Sequence, residues 1–216
     1  MDIGIGDEME PYWQQRYRDE GMIWGVEPSP TVYHAIATFN RHNVNNILVV
    51  GSGYGRNTKA FSSSFQVDGI ELSYDAIQMA LMWDENTNFI QGSILDELET
   101  NKKYDAIYCY DLLHLFLQHD RKTIILNCVK LLKNNGIMYF TCFSDKDQNY
   151  GKGKKIEEGT YEYKANKFSH FFSEEDLIKH FSEHDIVEVG SIKETLQYKD
   201  NETKEYLLRY IIVKKL

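Results

Sequence analysis

Short apolar runs alternate with longer stretches of helical period along the middle of this chain. Residues 47–50 (Ile-Leu-Val-Val) are continuously apolar and lead straight into glycines. Further strand-length segments fall at Gln66–Glu71, 88–91, 105–110 and 136–143. Between them the spacing predicts helices over 58–65, over Tyr74–Trp83 behind the N-cap Ser73, and over 121–133 behind Asp120. Ile124, Cys128 and Leu131 share one face of the last helix. Asn134-Asn135-Gly136 then signals a turn. A strand–helix rhythm of this kind specifies an α/β domain with a parallel sheet.

The tail changes character. Ser173, Glu174, Glu175 and Asp176 read as a capping-box start, with Phe172 and Leu177 as a hydrophobic staple. A helix should run from there to about Phe181. Residues 185–195 and 205–214 alternate and are β-branched, and the polar stretch 199–204 joins them as a hairpin. The simplest architecture is a doubly wound, Rossmann-like sheet. It is mostly parallel, ends in an antiparallel hairpin and carries helices on both faces. The first 45 residues, with Trp13, Tyr17, Trp24 and a periodic stretch over 32–39, predict helices packed over one end. A single domain spans 1–216: a helical cover (1–45), a core (46–145), and a C-terminal helix and hairpin (146–216).

Charge narrows the class. Lys plus Arg is 24 and Asp plus Glu is 33, a net charge of −9. That balance argues against nucleic acid as a partner, because phosphate binding draws on clustered Lys and Arg. The lysines at 152, 154 and 155 read as a solvated loop. No apolar run reaches transmembrane length, and the acidic start lacks a signal-peptide pattern. Cys109, Cys128 and Cys142 sit in apolar stretches with no CxxC spacing. They read as buried reduced thiols of a cytoplasmic protein that needs no membrane.

Gly51-Ser52-Gly53-Tyr54-Gly55 follows a strand and opens a helix. Glycine there permits positive φ and lets a ligand approach backbone N–H groups. The spacing departs from the dinucleotide fingerprint G-x-G-x-x-G, since Arg56 stands at its third glycine. No phosphate-loop Lys follows either. Glu71 ends the second strand, where a carboxylate can accept both hydroxyls of an adenosine ribose.

ILVVGSGYGRNTKAF, GIELS, FIQGSILD, YDAIYCYDLLHLF and LLKNNGIMYF resemble, in order and spacing, the successive motifs of class I S-adenosylmethionine-dependent methyltransferases. The GRNT after the glycines, WQQRYRDEGMIWGVEPSP and FSHFFSEEDL resemble the tellurite-resistance and thiopurine methyltransferase group. The resemblance covers nearly the whole chain. It implies a seven-stranded sheet with an antiparallel last strand, S-adenosylmethionine as cofactor, adenosylhomocysteine as product and a small-molecule methyl acceptor. It also implies roles. Gly51, Ser52 and Gly53 would cradle the methionine part, with Asn57 nearby. Glu71 would hold the ribose and Leu72 pack on adenine, with Gly92, Ser93 and Ile94 at its edge. The Tyr110 carbonyl would face the methionine amino group, and Arg16 its carboxylate. Two positions depart from the family pattern: Val49 and Ser93 stand where acids are usual. Backbone groups and Asp96 are the candidates to compensate.

In-line attack on a sulfonium methyl depends chiefly on alignment and on exclusion of water. Aromatic faces suit the sulfonium. Tyr12, Trp13, Tyr17, Trp24, Phe116 and Phe143 are candidates, with Trp13 and Trp24 as a lid. A soft nucleophile needs no base, whereas an alcohol or amine does. His114 and Asp111 are the candidate catalytic residues, followed by His170. His180 and His184 match H-x-x-E-H, but a helix end at that point makes them surface histidines, as are His114 and His119 on the plain reading. No nucleophile elbow occurs, and Cys109 has no adjacent base. The acceptor pocket should form between the amino-terminal cover and 143–172, with 150–167 as a mobile flap. Two competing readings are a nicotinamide-dependent oxidoreductase on the same glycine loop and a non-catalytic S-adenosylmethionine-binding module.

Overall fold

The computed structural model describes residues 5–98, 100–198 and 202–216, with side chains from Tyr12 onward. Residues 199–201 of the expected hairpin connector lie outside the described residues. The elements are α1 (Ile5–Glu20), α2 (Pro30–Arg41), β1 (Asn46–Val50), α3 (Thr58–Ser62), β2 (Gln66–Glu71), α4 (Tyr74–Trp83), β3 (Thr87–Gln91) and β4 (Tyr104–Cys109). A 3-10 turn over Leu113–Leu115 follows, then α5 (Gln118–Leu131) and β5 (Leu132–Phe143). Three short strands come next: β6 (Lys154–Glu157), β7 (Thr160–Lys164) and β8 (Lys167–His170). The chain ends with α6 (Glu174–His180), β9 (Asp185–Gln197) and β10 (Thr203–Lys214).

One seven-stranded sheet has the order β3-β2-β1-β4-β5-β10-β9. The pairs through β5 are parallel, and β10 is antiparallel to both its neighbours. The continuous apolar run of β1 has a direct cause, because side chains alternate between two covered faces. Leu48 and Val50 join Ile107, Met138 and Phe140 under α5 and α6 residues Ile124, Cys128 and Leu177. Ile47 and Val49 join Tyr108, Tyr139 and Ile212 under α2 and α3 residues Val32, Phe39 and Phe61.

Two sequence-based placements change. The helix α2 lies flat on a sheet face rather than over one end; Ser29 caps it, its Oγ accepting from Thr31 N at 3.3 Å. Helix α5 begins at Gln118, so Asp120 sits in its first turn and is not the N-cap. A distant carboxylate does that work: Glu157 of β6 accepts from Gln118 N at 3.0 Å. The predicted turn at 134–136 is an irregular start to β5, where the register against β4 slips between Tyr104 and Ala106. Gly136 is required there, since a Cβ would meet Asp105 O at 2.9 Å. The caps Ser73 and Ser173 stand as expected, accepting from Ala76 N at 3.2 Å and Asp176 N at 3.1 Å.

The segment expected as a flap contains the three-stranded antiparallel sheet β6-β7-β8. Its last strand is tied to α6, with His170 Nε2 2.7 Å from Asp176 and Nδ1 2.8 Å from Thr160 Oγ1. Among the described residues no helix is long and apolar enough to cross a membrane.

Candidate active site

Strand order reverses between β1 and β4, and chain connections leave a crevice at the carboxyl ends of the strands there. A cavity of about 710 Å³ opens at this point. The glycine loop forms its floor. Gly53 has φ +56°, and a Cβ there would sit 3.0 Å from the Tyr17 hydroxyl of α1. Its N–H donates to Glu71 Oε2 at 2.8 Å, while Glu71 Oε1 accepts from Ser73 N at 2.9 Å. Burial raises the Glu71 carboxyl above its ordinary range, and those N–H groups oppose the rise.

The loop also grips the segment joining α1 to α2. The Tyr54 hydroxyl donates to Gly25 O at 2.7 Å and accepts from Trp24 N at 3.1 Å. Asn57 Oδ1 accepts from Ser29 N at 3.0 Å. Arg56 pairs with Glu194 of β9 at 3.2 Å and lies over the Tyr110 ring at 5.3 Å. Glu194 accepts in turn from the Tyr110 and Ser29 hydroxyls. Arg16 stands 5.5 Å from the Trp13 ring and 5.4 Å from the Trp24 ring.

At the far end, Asp111 adopts φ +47°, a conformation Asp tolerates better than most residues. Its N–H donates to Thr141 Oγ1, which donates back to Asp111 Oδ1 at 2.8 Å. Burial pushes the Asp111 carboxyl up to about 8, with Glu194 adding to the rise. His114 is buried, and its ring stacks on Phe143 at 3.9 Å. Burial pushes the His114 imidazole down to about 3, so the ring is neutral at pH 7 and a weak base. Its Nδ1 is buried with no hydrogen-bond partner among the described residues.

Fourteen of the residues singled out from sequence as catalytic or cofactor-binding line this cavity: Trp13, Arg16, Gly51, Ser52, Gly53, Asn57, Glu71, Leu72, Gly92, Ser93, Ile94, Tyr110, Asp111 and His114. Others fall elsewhere. His170 is buried between Thr160 and Asp176 and is not on the wall. Asp96 is exposed and off the wall, so it cannot stand in for a missing acid. The Ser93 hydroxyl accepts from Leu95 N at 3.1 Å. Val49 packs beneath the loop among Phe61 and Tyr108. His180 is not a surface residue: its Nε2 accepts from Arg121 Nε at 3.2 Å and its Nδ1 meets Asp176 O at 2.8 Å. His114 is likewise buried, whereas His119 is exposed. No cluster of three metal-ligating side chains occurs among the described residues.

Sequence reasoning missed the Arg56–Glu194 pair and Asn127. The buried Asn127 of α5 donates to the carbonyls of Ile94, Leu95 and Asp96, holding the loop after β3. Only the alternation of β9 hinted at an inward-facing Glu194. Nothing local marked Asn127.

Comparison with known proteins places this geometry. Residues 47–136 match the family model described as a methyltransferase domain. The ubiquinone biosynthesis O-methyltransferase of Rickettsia akari is 24% identical over 195 residues, covering 84% of this chain and 75% of that protein. A S-adenosylmethionine-dependent methyltransferase of Anabaena variabilis superposes with a TM-score of 0.73 at 16% identity, over 100% of this chain and 96% of its own. TehB of Haemophilus influenzae superposes at 0.65 with 14% identity, over 96% of this chain and 67% of its own. The glycine loop, the reversal of strand order and the antiparallel final pair thus belong to one known architecture: residues 47–136 match a methyltransferase domain, and the chain has the fold of S-adenosylmethionine-dependent methyltransferases.

Proposed function

We propose that this chain transfers a methyl group from S-adenosylmethionine to a small-molecule acceptor. The observation that carries this reading is the single cavity running from the glycine loop and Glu71 to His114 and Phe143. Its volume falls in the range of small-molecule sites and leaves room beside a nucleoside.

The residues present fit the cofactor. Glu71 presents a buried carboxylate beside a loop whose Gly53 leaves no room for a side chain. Leu72 and Ile94 supply apolar faces for a base, and Gly92 and Ser93 its edge. Gly51, Ser52, Asn57 and the Tyr110 carbonyl line the methionine end, with Arg16 for the carboxylate. S-adenosylmethionine supplies an electrophilic methyl on a positively charged sulfur. Trp13 and Trp24 offer aromatic faces to that charge and exclude water. Asp111 is the residue placed to take a proton from the acceptor. His114, neutral and stacked, shapes the wall instead.

Within the class, the GRNT motif and the amino-terminal WQQRYRDEGMIWGVEPSP support a place near the tellurite-resistance and thiopurine group. Three buried thiols support a reducing, cytoplasmic setting.

Thermal shift with adenosylhomocysteine, S-adenosylmethionine and NAD in parallel tests the reading. A ligand at 100 times its Kd should raise Tm by roughly 5–10 °C for a chain this long. A rise with adenosylhomocysteine and not NAD is expected. A rise with NAD alone would return the oxidoreductase reading. Cofactor binding without adenosylhomocysteine release on any acceptor would favour the non-catalytic module.

A further inference from the structure

We infer that the acceptor end of the cavity binds a planar aromatic ring whose O–H or N–H hydrogen-bonds to the Asp111 carboxyl group. This rests on the methyl-transfer reading and names the substrate class for the same site.

Four rings carry it. Phe143, at the end of β5, lies 3.9 Å from the His114 ring at an interplanar angle of 17°. Tyr206 of β10 lies 5.5 Å from Phe143 at 1°, and Phe171 5.8 Å away at 24°. All four line the cavity. They come from a 3-10 turn, two strands and the loop before α6, so no local repeat aligns them. The Tyr206 ring is anchored at its hydroxyl, which lies 2.9 Å from that of Tyr198. A flat ligand can join such a set by offset stacking, whereas a puckered or tetrahedral one touches it only at points.

The polar groups agree. Thr141, which holds Asp111, stands two residues before Phe143 on β5, so it lies on the same side of the strand. Asp111 is thereby fixed beside the ring set. His114 is flat and uncharged there. The cationic side chains on the wall are engaged: Arg16 with Glu20, Arg56 with Glu194, Lys152 with Asn149 and Lys204 with Glu202. A cluster of open cations, which an oxyanion would need, is not present on the wall among the described residues.

The test is calorimetric titration of the full chain saturated with adenosylhomocysteine, using 2-naphthol, naphthalene, decahydro-2-naphthol and sodium tellurite. We expect 2-naphthol to bind about tenfold tighter than its saturated counterpart, the scale of ring stacking. Asp111→Ala, which removes the hydrogen-bonding group whatever its charge, should weaken 2-naphthol and leave naphthalene unchanged. Tyr206→Leu, and independently Phe171→Leu, should weaken both aromatic probes severalfold while keeping adenosylhomocysteine affinity, which also shows that each variant is folded. Equal binding of 2-naphthol and decahydro-2-naphthol, or binding of tellurite alone, would overturn the inference. So would adenosylhomocysteine binding with no aromatic probe bound. Failure of adenosylhomocysteine itself to bind would overturn the methyl-transfer reading, and this inference with it.

Discussion

Arg56 of the glycine loop and Glu194 of β9 form a buried ion pair at 3.2 Å across 138 residues of chain. Both side chains are almost fully enclosed, and Glu194 also accepts from Tyr110 and Ser29. The pair therefore fastens the glycine loop to the C-terminal hairpin. Removing one partner leaves the other charge buried alone. Glu194→Ala should cost about 3–5 kcal/mol of stability, the range for a broken buried pair. Glu194→Gln, which keeps an acceptor for Tyr110, should cost less. Urea unfolding of both variants measures this; equal, small losses would show that the pair is not a fastening.

Glu71 should matter to ligand affinity. Glu71→Gln keeps one oxygen for the Gly53 N–H and removes the charge. Loss of charged hydrogen bonds to a ribose should weaken adenosylhomocysteine roughly 10- to 150-fold. Calorimetric titration checks it, and unchanged affinity in a folded variant would remove Glu71 from the ribose site.

Asp111 should make stability depend on pH. Its carboxyl is raised from 3.8 to about 8 in the folded chain. Between those values the native state holds a proton that the unfolded state has lost, so stability falls as pH rises. The contribution is complete below about pH 4 and is lost as pH rises through about 8. Asp111→Asn should remove this slope in urea midpoints measured from pH 5 to 9. If Asp111 takes the acceptor's proton, methyl transfer rises through about pH 8 in the parent chain and not in the variant.

Asn127→Ala should act on the loop after β3 that it holds. Three carbonyls share its amide, at 2.9, 3.2 and 3.3 Å. Leaving buried acceptors unmet costs about 1–3 kcal/mol. A lower urea midpoint together with weaker adenosylhomocysteine binding is the expected pair of results. A stability loss with unchanged affinity would limit Asn127 to the fold.

Much of the fold was legible because its signals are local. The apolar run of β1 and the glycines after it, the caps Ser73 and Ser173 and the alternation of β9 and β10 each lie within a few residues. The cavity wall was legible for the same reason, since its floor follows directly from strand ends. Asp120 misled because a serviceable cap residue loses when a better acceptor, Glu157, arrives from another element. His170 misled because a histidine's role depends on what surrounds it, here Thr160 and Asp176.

The amino-acid sequence by itself determined the alternation of strands and helices, the glycine loop and the acid that follows it. Periodicity and backbone freedom are properties of neighbouring residues, and they survive without a third dimension. Only the tertiary structure decided that α2 lies on the sheet, that Arg56 meets Glu194, and that four rings from distant segments stack with nearly parallel planes. It also decided that His114 is neutral and that Asp111 is raised. Those outcomes depend on burial and on through-space distance, which are fixed only when the chain has closed on itself.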